Sequence, residues 1–205
     1  MRIYKKGQNK YLSVTSIVGM MYGFDKEGFE YWALSQNLNP DWITKHSAEL
    51  GTKYHEYFEN KFYGINGWAD IVEEKDRGYR EAVDDLYNQG WEIIDSEREV
   101  FCDEFRYAGR FDLVMKNDKL NIKKAIGDIK TWGAWNGGSF RRNSKKLKKV
   151  GEQLSMYRYA LGEDWPMYLI VPQKNGKCIV EAIPYTEGWK QFIKDNWKEI
   201  LDLTS

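Results

Sequence analysis

Cysteine, histidine and proline are scarce in this chain, whose 205 residues include two cysteines, two histidines and four prolines. Cys102 and Cys178 are far apart and form no CxxC motif, which excludes a four-cysteine zinc or iron–sulfur site within the chain and does not suggest a disulfide scaffold. No stretch approaches the roughly 18 apolar residues that a membrane span needs. The first residues contain no recognisable signal peptide. We therefore expect a soluble, intracellular (cytoplasmic) protein that makes no membrane contact.

Net charge is absent too, because 31 Lys and Arg balance 31 Asp and Glu. The charges are nevertheless sorted along the chain. Residues 70–104 hold thirteen acidic and four basic side chains, whereas residues 116–149 hold eleven basic and two acidic ones. Because screening limits each charge to about 10 Å at ~0.1 M salt, a local basic surface can still attract phosphate. The zero net charge therefore does not exclude a nucleic-acid partner.

Core-forming residues are abundant, with 42% hydrophobic and 16% aromatic residues, which excludes a disordered chain. The length predicts a single domain over residues 1–205, with an N-terminal helical part (1–92) and a sheet with flanking helices (93–205). Hydrophobic periodicity predicts helices at 24–37, 48–64, 73–89, 150–162 and 189–203. It predicts strands at 92–103, 106–116 and 123–132 and a hairpin at 166–184. The predicted fold class is mixed α/β, a central sheet with helices packed on it.

Two aspartates carry the most informative pattern, Asp112 in GRFD and Asp128 in GDIKT. Side chains alternate across a strand, so Asp128 and Lys130 should point to the same face. A hairpin between the two segments would bring Asp112 back toward Asp128. Two carboxylates with room for water suit Mg²⁺ or Mn²⁺, and a lysine beside them can orient water and neutralise charge on a phosphate. The pattern indicates metal-assisted phosphodiester hydrolysis.

A purely structural interpretation remains open, because Asp-x-Lys triplets are common by chance and both aspartates could be solvated turn residues. Apolar neighbours of both aspartates favour the functional interpretation, since ionic groups inside apolar strands are costly unless they are paired or bound to metal. His55 with Glu59, and Gln153 with Tyr157, lie one helical turn apart, and each pair taken alone is typical of ordinary helix packing.

Taken in order, the segments GTKYH, ERE, GRFD, GDIKT and EQLSMY resemble the RecB-type branch of the PD-(D/E)XK nuclease superfamily, over about residues 11–162. The resemblance implies a restriction-endonuclease-like core, a central mixed β-sheet flanked by helices. It implies metal ligation by His55, Asp112, Asp128 and the backbone carbonyl of Ile129, with Lys130 acting on water. Glu97 best matches a supporting glutamate of the family, and Glu99 competes for that role. Gln153 and Tyr157 match the Q-x-x-x-Y motif, which helps hold DNA and brace the site.

The segment YLSVTSIVGMM (11–21), together with Trp32, looks like the small phage and viral exonucleases of this branch and the mitochondrial genome maintenance exonuclease. That likeness implies cleavage of single-stranded DNA, mostly from ends, in viral or phage replication, recombination or repair. Phe111 stands where the superfamily has the proline of PD, which is usual in this branch. The four cluster-binding cysteines of some relatives are absent, so no iron–sulfur cluster is expected, and no Walker A segment is present.

A basic run, RRNSKKLKK, covers residues 141–149 and lies between the catalytic triplet and the Gln153 helix. Such runs are most often solvated loops. Here we expect a flexible loop over residues 133–149 in which Arg141, Arg142, Lys145 and Lys146 contact phosphates. Trp132 and Trp135 precede the run and could stack on unpaired bases. Packing of these tryptophans beneath the loop is an equally good alternative.

The sequence thus predicts an enzyme, a Mg²⁺- or Mn²⁺-dependent deoxyribonuclease that acts on single-stranded DNA as an exonuclease with possible endonuclease activity. Viral or host replication and recombination proteins are candidate partners, and the oligomeric state stays open. Two alternatives belong to other classes. The first is a catalytically silent nuclease fold that binds nucleic acid within a replication or recombination complex. The second is a metal-independent scaffold in which these charges are incidental.

Overall fold

Seven strands form one mixed sheet in this computed structural model, which describes residues 1–23, 26–65, 77–131 and 144–205. Within those ranges the strands are β1 (Ile3–Lys6), β2 (Asn9–Ser13), β3 (Trp91–Cys102), β4 (Tyr107–Asn117), β5 (Ile122–Ile129), β6 (Met167–Pro172) and β7 (Cys178–Ile183). The helices are α1 (Val14–Tyr22), α2 (Lys26–Ser35), α3 (Pro40–Phe62), α4 (Arg77–Asn88), α5 (Ser144–Leu161), α6 (Gly188–Asp195) and α7 (Trp197–Thr204). The mixed α/β class predicted from the sequence is confirmed.

The long strand β4 is central to the sheet, because it pairs with three others. It is antiparallel to β3 and β5, and its first residues pair in parallel with the end of β2. Beyond β5 the sheet continues through β6, which is parallel to β5, to the antiparallel β7. The order is therefore β1-β2-β4-β5-β6-β7, with β3 on the other side of β4. The predicted strands of residues 92–132 and the predicted hairpin are all present.

Helices cover both faces of the sheet and enclose two hydrophobic cores. One core packs α1, α5, α6 and α7 against the sheet and contains Phe111, Leu154 and Trp189. The other packs α3 and α4 against the opposite face and contains Phe58, Leu113 and Ile170. Burial of these side chains stabilises the fold by about 25 cal/mol for each Å² of apolar surface removed from water. No helix among the described residues is both long enough and apolar enough to cross a membrane.

Capping residues fix where helices α1 and α3 begin. The hydroxyl of Ser13 accepts a hydrogen bond from the Ser16 amide at 3.0 Å, so the chain turns directly from β2 into α1. Asn39 caps α3 in the same way, and Pro40 follows in the first helical position, where its missing N–H costs no hydrogen bond. The helix therefore begins at Pro40, whereas the apolar pattern predicted a start at residue 48.

Three expectations need correction. The basic residues 145–149 belong to the first turns of α5 and are not part of a loop, because Leu147 and Val150 continue the apolar face of that helix. The single helix predicted at 189–203 is two helices separated at Asn196. The N-terminal part of the chain is not helical throughout, since β1 and β2 join the sheet there.

Candidate metal centre

Three different elements bring His55, Glu97 and Asp112 together. His55 is on α3, Glu97 on β3 and Asp112 on β4. The Nδ1 atom of His55 lies 3.6 Å from Oε1 of Glu97 and 3.7 Å from Oδ1 of Asp112. Ligand atoms from all three residues lie within 4.8 Å of one another. All three side chains are partly buried, with 13% of the Asp112 side chain and 32% of the His55 side chain exposed.

Glu97 owes its position to an irregular backbone. Ser96 pairs with Leu113 and Arg98 with Phe111, so Glu97 lies opposite Asp112 on the neighbouring strand. Its φ of 54° is in the left-handed region, which is costly for a side-chain-bearing residue, and such strained residues cluster at functional sites. Of the two glutamates that competed in the sequence, Glu97 is therefore the one placed beside His55 and Asp112.

Arg110 forms an ion pair with the second carboxylate oxygen of Glu97. The same neighbourhood affects Glu59, one helical turn beyond His55 on α3. Its pKa is raised by partial burial and by the Glu97 carboxylate, against the opposing influence of His55 and Arg110. Negative charge is thus concentrated around His55, and Arg110 compensates part of it.

The Asp112 carboxylate is largely buried and lies between a backbone amide and several charged groups. Its Oδ2 accepts a hydrogen bond from the Ile129 amide at 2.7 Å. Burial and the nearby Asp128 charge raise its pKa to about 6, although Lys130, His55 and the Ile129 amide act in the opposite direction. Asp112 is therefore harder to ionise than a free aspartate, and a cation placed beside it would favour the ionised form.

Asp128 and Lys130 lie on the same side of the chain at the end of β5, as the sequence predicted. Leu113 pairs with Gly127, so the register places Asp128 opposite Asp112. Asp128 is completely buried, and its Oδ2 lies 2.6 Å from the Nζ of Lys130, which is 28% exposed. Burial would lower the pKa of Lys130, but the Asp128 and Asp112 charges and the contact with Asp128 outweigh it and raise that pKa. Lys130 is therefore a fixed ammonium at neutral pH.

Gln153 and Tyr157 brace Asp128 from α5. The Nε2 of Gln153 donates to Oδ1 of Asp128 at 3.0 Å and to the Tyr157 hydroxyl at 3.3 Å. Tyr157 is only 2% exposed, and burial together with the two aspartates raises its pKa well above the usual value. It is a neutral, packed side chain. The geometry gives this pair a supporting role at Asp128.

Gly109, in the GRFD segment of β4, leaves the space that the Tyr157 ring occupies. A Cβ atom at this position would lie 2.4 Å from Cε1 of Tyr157. We expect Gly109→Ala to lower the free energy of unfolding by about 1–3 kcal/mol, because a buried ring has to shift. Urea unfolding would measure the loss. Gly127→Ala is the matched control, since its closest contact, at 2.9 Å, is the flexible end of Met115. A Gly109→Ala protein as stable as wild type would contradict this packing.

The His55–Glu97–Asp112 set fits a divalent cation. Two donor atoms bound to one ion at about 2.1 Å lie roughly 3–4 Å apart, depending on the angle between them. The observed His55 distances of 3.6 and 3.7 Å fall in that range. Carboxylate oxygens are suitable ligands for Mg²⁺ and Mn²⁺, and an imidazole ligand favours Mn²⁺ over Mg²⁺. Asp128 is not among these three residues and is paired with Lys130 in the structure, and its role as a metal ligand remains a prediction.

Several other predicted residues were assigned to substrate binding. Lys145 and Lys146 are exposed in the first turn of α5. Trp132, Trp135, Arg141 and Arg142 lie outside the described residues.

Ile129 was predicted to offer its backbone carbonyl to the metal. The structure shows that its amide donates a hydrogen bond to Asp112, and the role of the carbonyl remains a prediction. Sequence reasoning missed Arg110, although a cation two positions before Asp112 on a strand was a signal that both share a face.

Comparisons with known proteins add little to this geometry. No family model matches the chain, and no curated protein matches it. The crystal structure of SSO0001 is similar, with a TM-score of 0.48 and 16% identity over 98% of this chain and 78% of that one. A likeness of this size carries no argument about function.

Proposed function

We propose that this protein is a divalent-metal-dependent deoxyribonuclease with a PD-(D/E)XK core, acting on single-stranded DNA. The observation that carries the proposal is one constellation: the His55–Glu97–Asp112 set beside the Asp128–Lys130 ion pair. The three-residue set alone could hold a structural ion. A fixed ammonium beside it adds a group suited to phosphodiester hydrolysis, because it can stabilise the negative charge that develops on the phosphate in the transition state.

Each side chain has a definite task in this proposal. His55, Glu97 and Asp112 would hold Mg²⁺ or Mn²⁺, which when bound polarises the phosphate and lowers the pKa of a coordinated water. Lys130 keeps its proton, so it orients water and stabilises developing charge and does not act as a general base. Asp128 positions the Lys130 ammonium at 2.6 Å, and Gln153 prevents Asp128 from rotating.

The preference for single strands rests on the sequence around α5. Lys145 and Lys146 lie in the first turn of this helix, which also carries Gln153, and they supply attraction to phosphate without base preference. The tryptophans that precede them, Trp132 and Trp135, could stack on unpaired bases. Such stacking is available on an unpaired strand and in duplex DNA only at the ends.

We expect linear single-stranded DNA to be cut at least about tenfold faster than blunt duplex DNA, because each base stack contributes ~1–3 kcal/mol. The assay uses labelled linear single strands, blunt duplex and closed single-stranded circles with Mg²⁺ or Mn²⁺, and with chelator as the control. Equal rates on duplex and single strands would contradict the preference. Rapid cutting of circles would exclude an end requirement, and binding without any cutting would support the catalytically silent alternative.

A further inference from the structure

A cavity of about 340 Å³ opens between α1 and α5, directly beside the candidate metal centre. Since one water occupies about 30 Å³ of liquid, it holds roughly ten waters, or a phosphate with part of its sugar. The lining contains three lysines and no acidic side chain among the residues that the structure describes. Its polar side chains are Thr15, Lys130, Lys146, Lys149 and Gln153.

The start of α5 is positively charged, which is unfavourable beside the partial positive charge of a helix N-terminus. No acidic residue is present in its first turn, and four of its first six residues are Lys145, Lys146, Lys148 and Lys149. The helix dipole adds a partial positive charge there, and lysines three or four positions apart repel one another. A bound anion would relieve both effects, so this end of α5 is suited to phosphate.

Lys149 is held toward the cavity wall formed by α1. Its Nζ donates to the carbonyl of Gly23 at 2.9 Å and lies 5.8 Å from the centre of the Tyr22 ring. An ammonium has three donors, so further hydrogen bonds remain for a ligand. Thr15 adds an exposed hydroxyl from the first turn of α1, 3.1 Å from the hydroxyl of Ser13. The cavity thus has cationic donors on one wall and a neutral hydroxyl on the other.

We propose that this cavity binds a backbone phosphate of the substrate strand, next to the phosphate that is cut. The inference rests on the proposed function and names contacts beyond it: Thr15, Lys146 and Lys149 hold the neighbouring phosphate. Lys130 and Gln153 lie at the boundary between this cavity and the metal centre. The strand therefore passes between α1 and α5 with one phosphate on each side of Lys130.

Substitutions at Gly19 test phosphate binding in the cavity without changing Thr15, Lys146 or Lys149. It lines the cavity from within α1, and a Cβ atom there would meet nothing within 4 Å. Gly19→Glu places a negative charge in the cavity, and Gly19→Gln is its neutral control of equal size. Both replace glycine inside a helix, so neither should lower the melting temperature. We expect the dissociation constant for single-stranded DNA in Ca²⁺ to be at least about tenfold higher for Gly19→Glu than for Gly19→Gln.

A second measurement identifies the phosphate. Single methylphosphonate replacements along the oligonucleotide should weaken wild-type binding at one position beside the cut site, and Lys149→Gln should reduce that sensitivity. Lys149→Gln should also reduce the slope of log affinity against log salt by about 0.7. Equal binding by Gly19→Glu and Gly19→Gln would overturn the inference even if the protein cuts DNA. The expected binding difference in a protein that never cuts would uphold the cavity and reject the nuclease.

Discussion

Asp112→Asn should abolish DNA cleavage, by about 10³-fold or more, while the protein stays folded. In the proposed function this variant loses a ligand of a cation that would supply several kcal/mol of transition-state stabilisation. The fold should survive because Asn keeps an oxygen that can accept the Ile129 amide hydrogen bond. The metal-free variant should also melt no lower than wild type. The pKa of Asp112 in the folded protein is about 6, above its ordinary value, so its charge opposes folding at neutral pH and is absent from Asn.

Thermal melts with and without Mn²⁺ give a readout that is independent of activity. A ligand that binds only the folded state raises its stability, so Mn²⁺ should raise the melting temperature of wild type and do so far less for Asp112→Asn. Asp118→Asn is the matched control, because Asp118 is 72% exposed and lies away from the centre. If Asp112→Asn cuts DNA at a near wild-type rate in saturating Mn²⁺ and substrate, the centre is misassigned.

Lys130→Met should lower the cleavage rate by at least ~10²-fold, the usual effect of removing a preorganised charge from a developing anion. DNA binding in Ca²⁺ should persist. The variant should also lose about 3–5 kcal/mol of stability, because Asp128 is completely buried and would have no cationic partner. Single-turnover rates and urea unfolding measure the two effects.

The double variant Asp128→Asn with Lys130→Met separates these two effects. Replacing both members removes the buried charge, so stability should return toward wild type while the rate stays low. Recovery of the rate together with stability would show that Lys130 acts only by keeping the fold intact. A Lys130→Met protein that binds poorly but cuts normally once bound would make Lys130 a docking residue.

Residue spacing along the chain was sufficient to predict the part of the site formed by two consecutive strands. The strands carrying Asp112 and Asp128 follow one another along the chain, so period-two alternation and one polar turn were sufficient to predict that the carboxylates meet. The side-chain spacing likewise predicted the Asp128–Lys130 pair. Gln153 was found as half of a helix-face pair, and only the folded structure shows that it donates to Asp128.

The parts that sequence patterns missed depend on tertiary contacts or on irregular backbone. Glu97 has a left-handed φ, and the β3–β4 register shifts between Ile93 and Asp95, so alternation counted along β3 gives the wrong face for some residues. Strand β2 pairs with β4 through only two residue pairs that are far apart in sequence, and no local pattern reports such a contact. The lysines of α5 resembled a loop because their charge obscured the helical spacing of Leu147 and Val150.

The consecutive strands β3, β4 and β5 also affect the order in which the protein assembles. Loop closure costs less entropy for contacts that are close in sequence, so this antiparallel meander has an advantage over β2 and β6, which pair in parallel across long connections. Glu97, Asp112 and Asp128 all belong to it, whereas His55 arrives on a separate helix. If the meander forms first, it would bring three carboxylates together before the histidine is in place. We then expect divalent ions in the folding medium to change the folding rate as well as the stability of the folded protein.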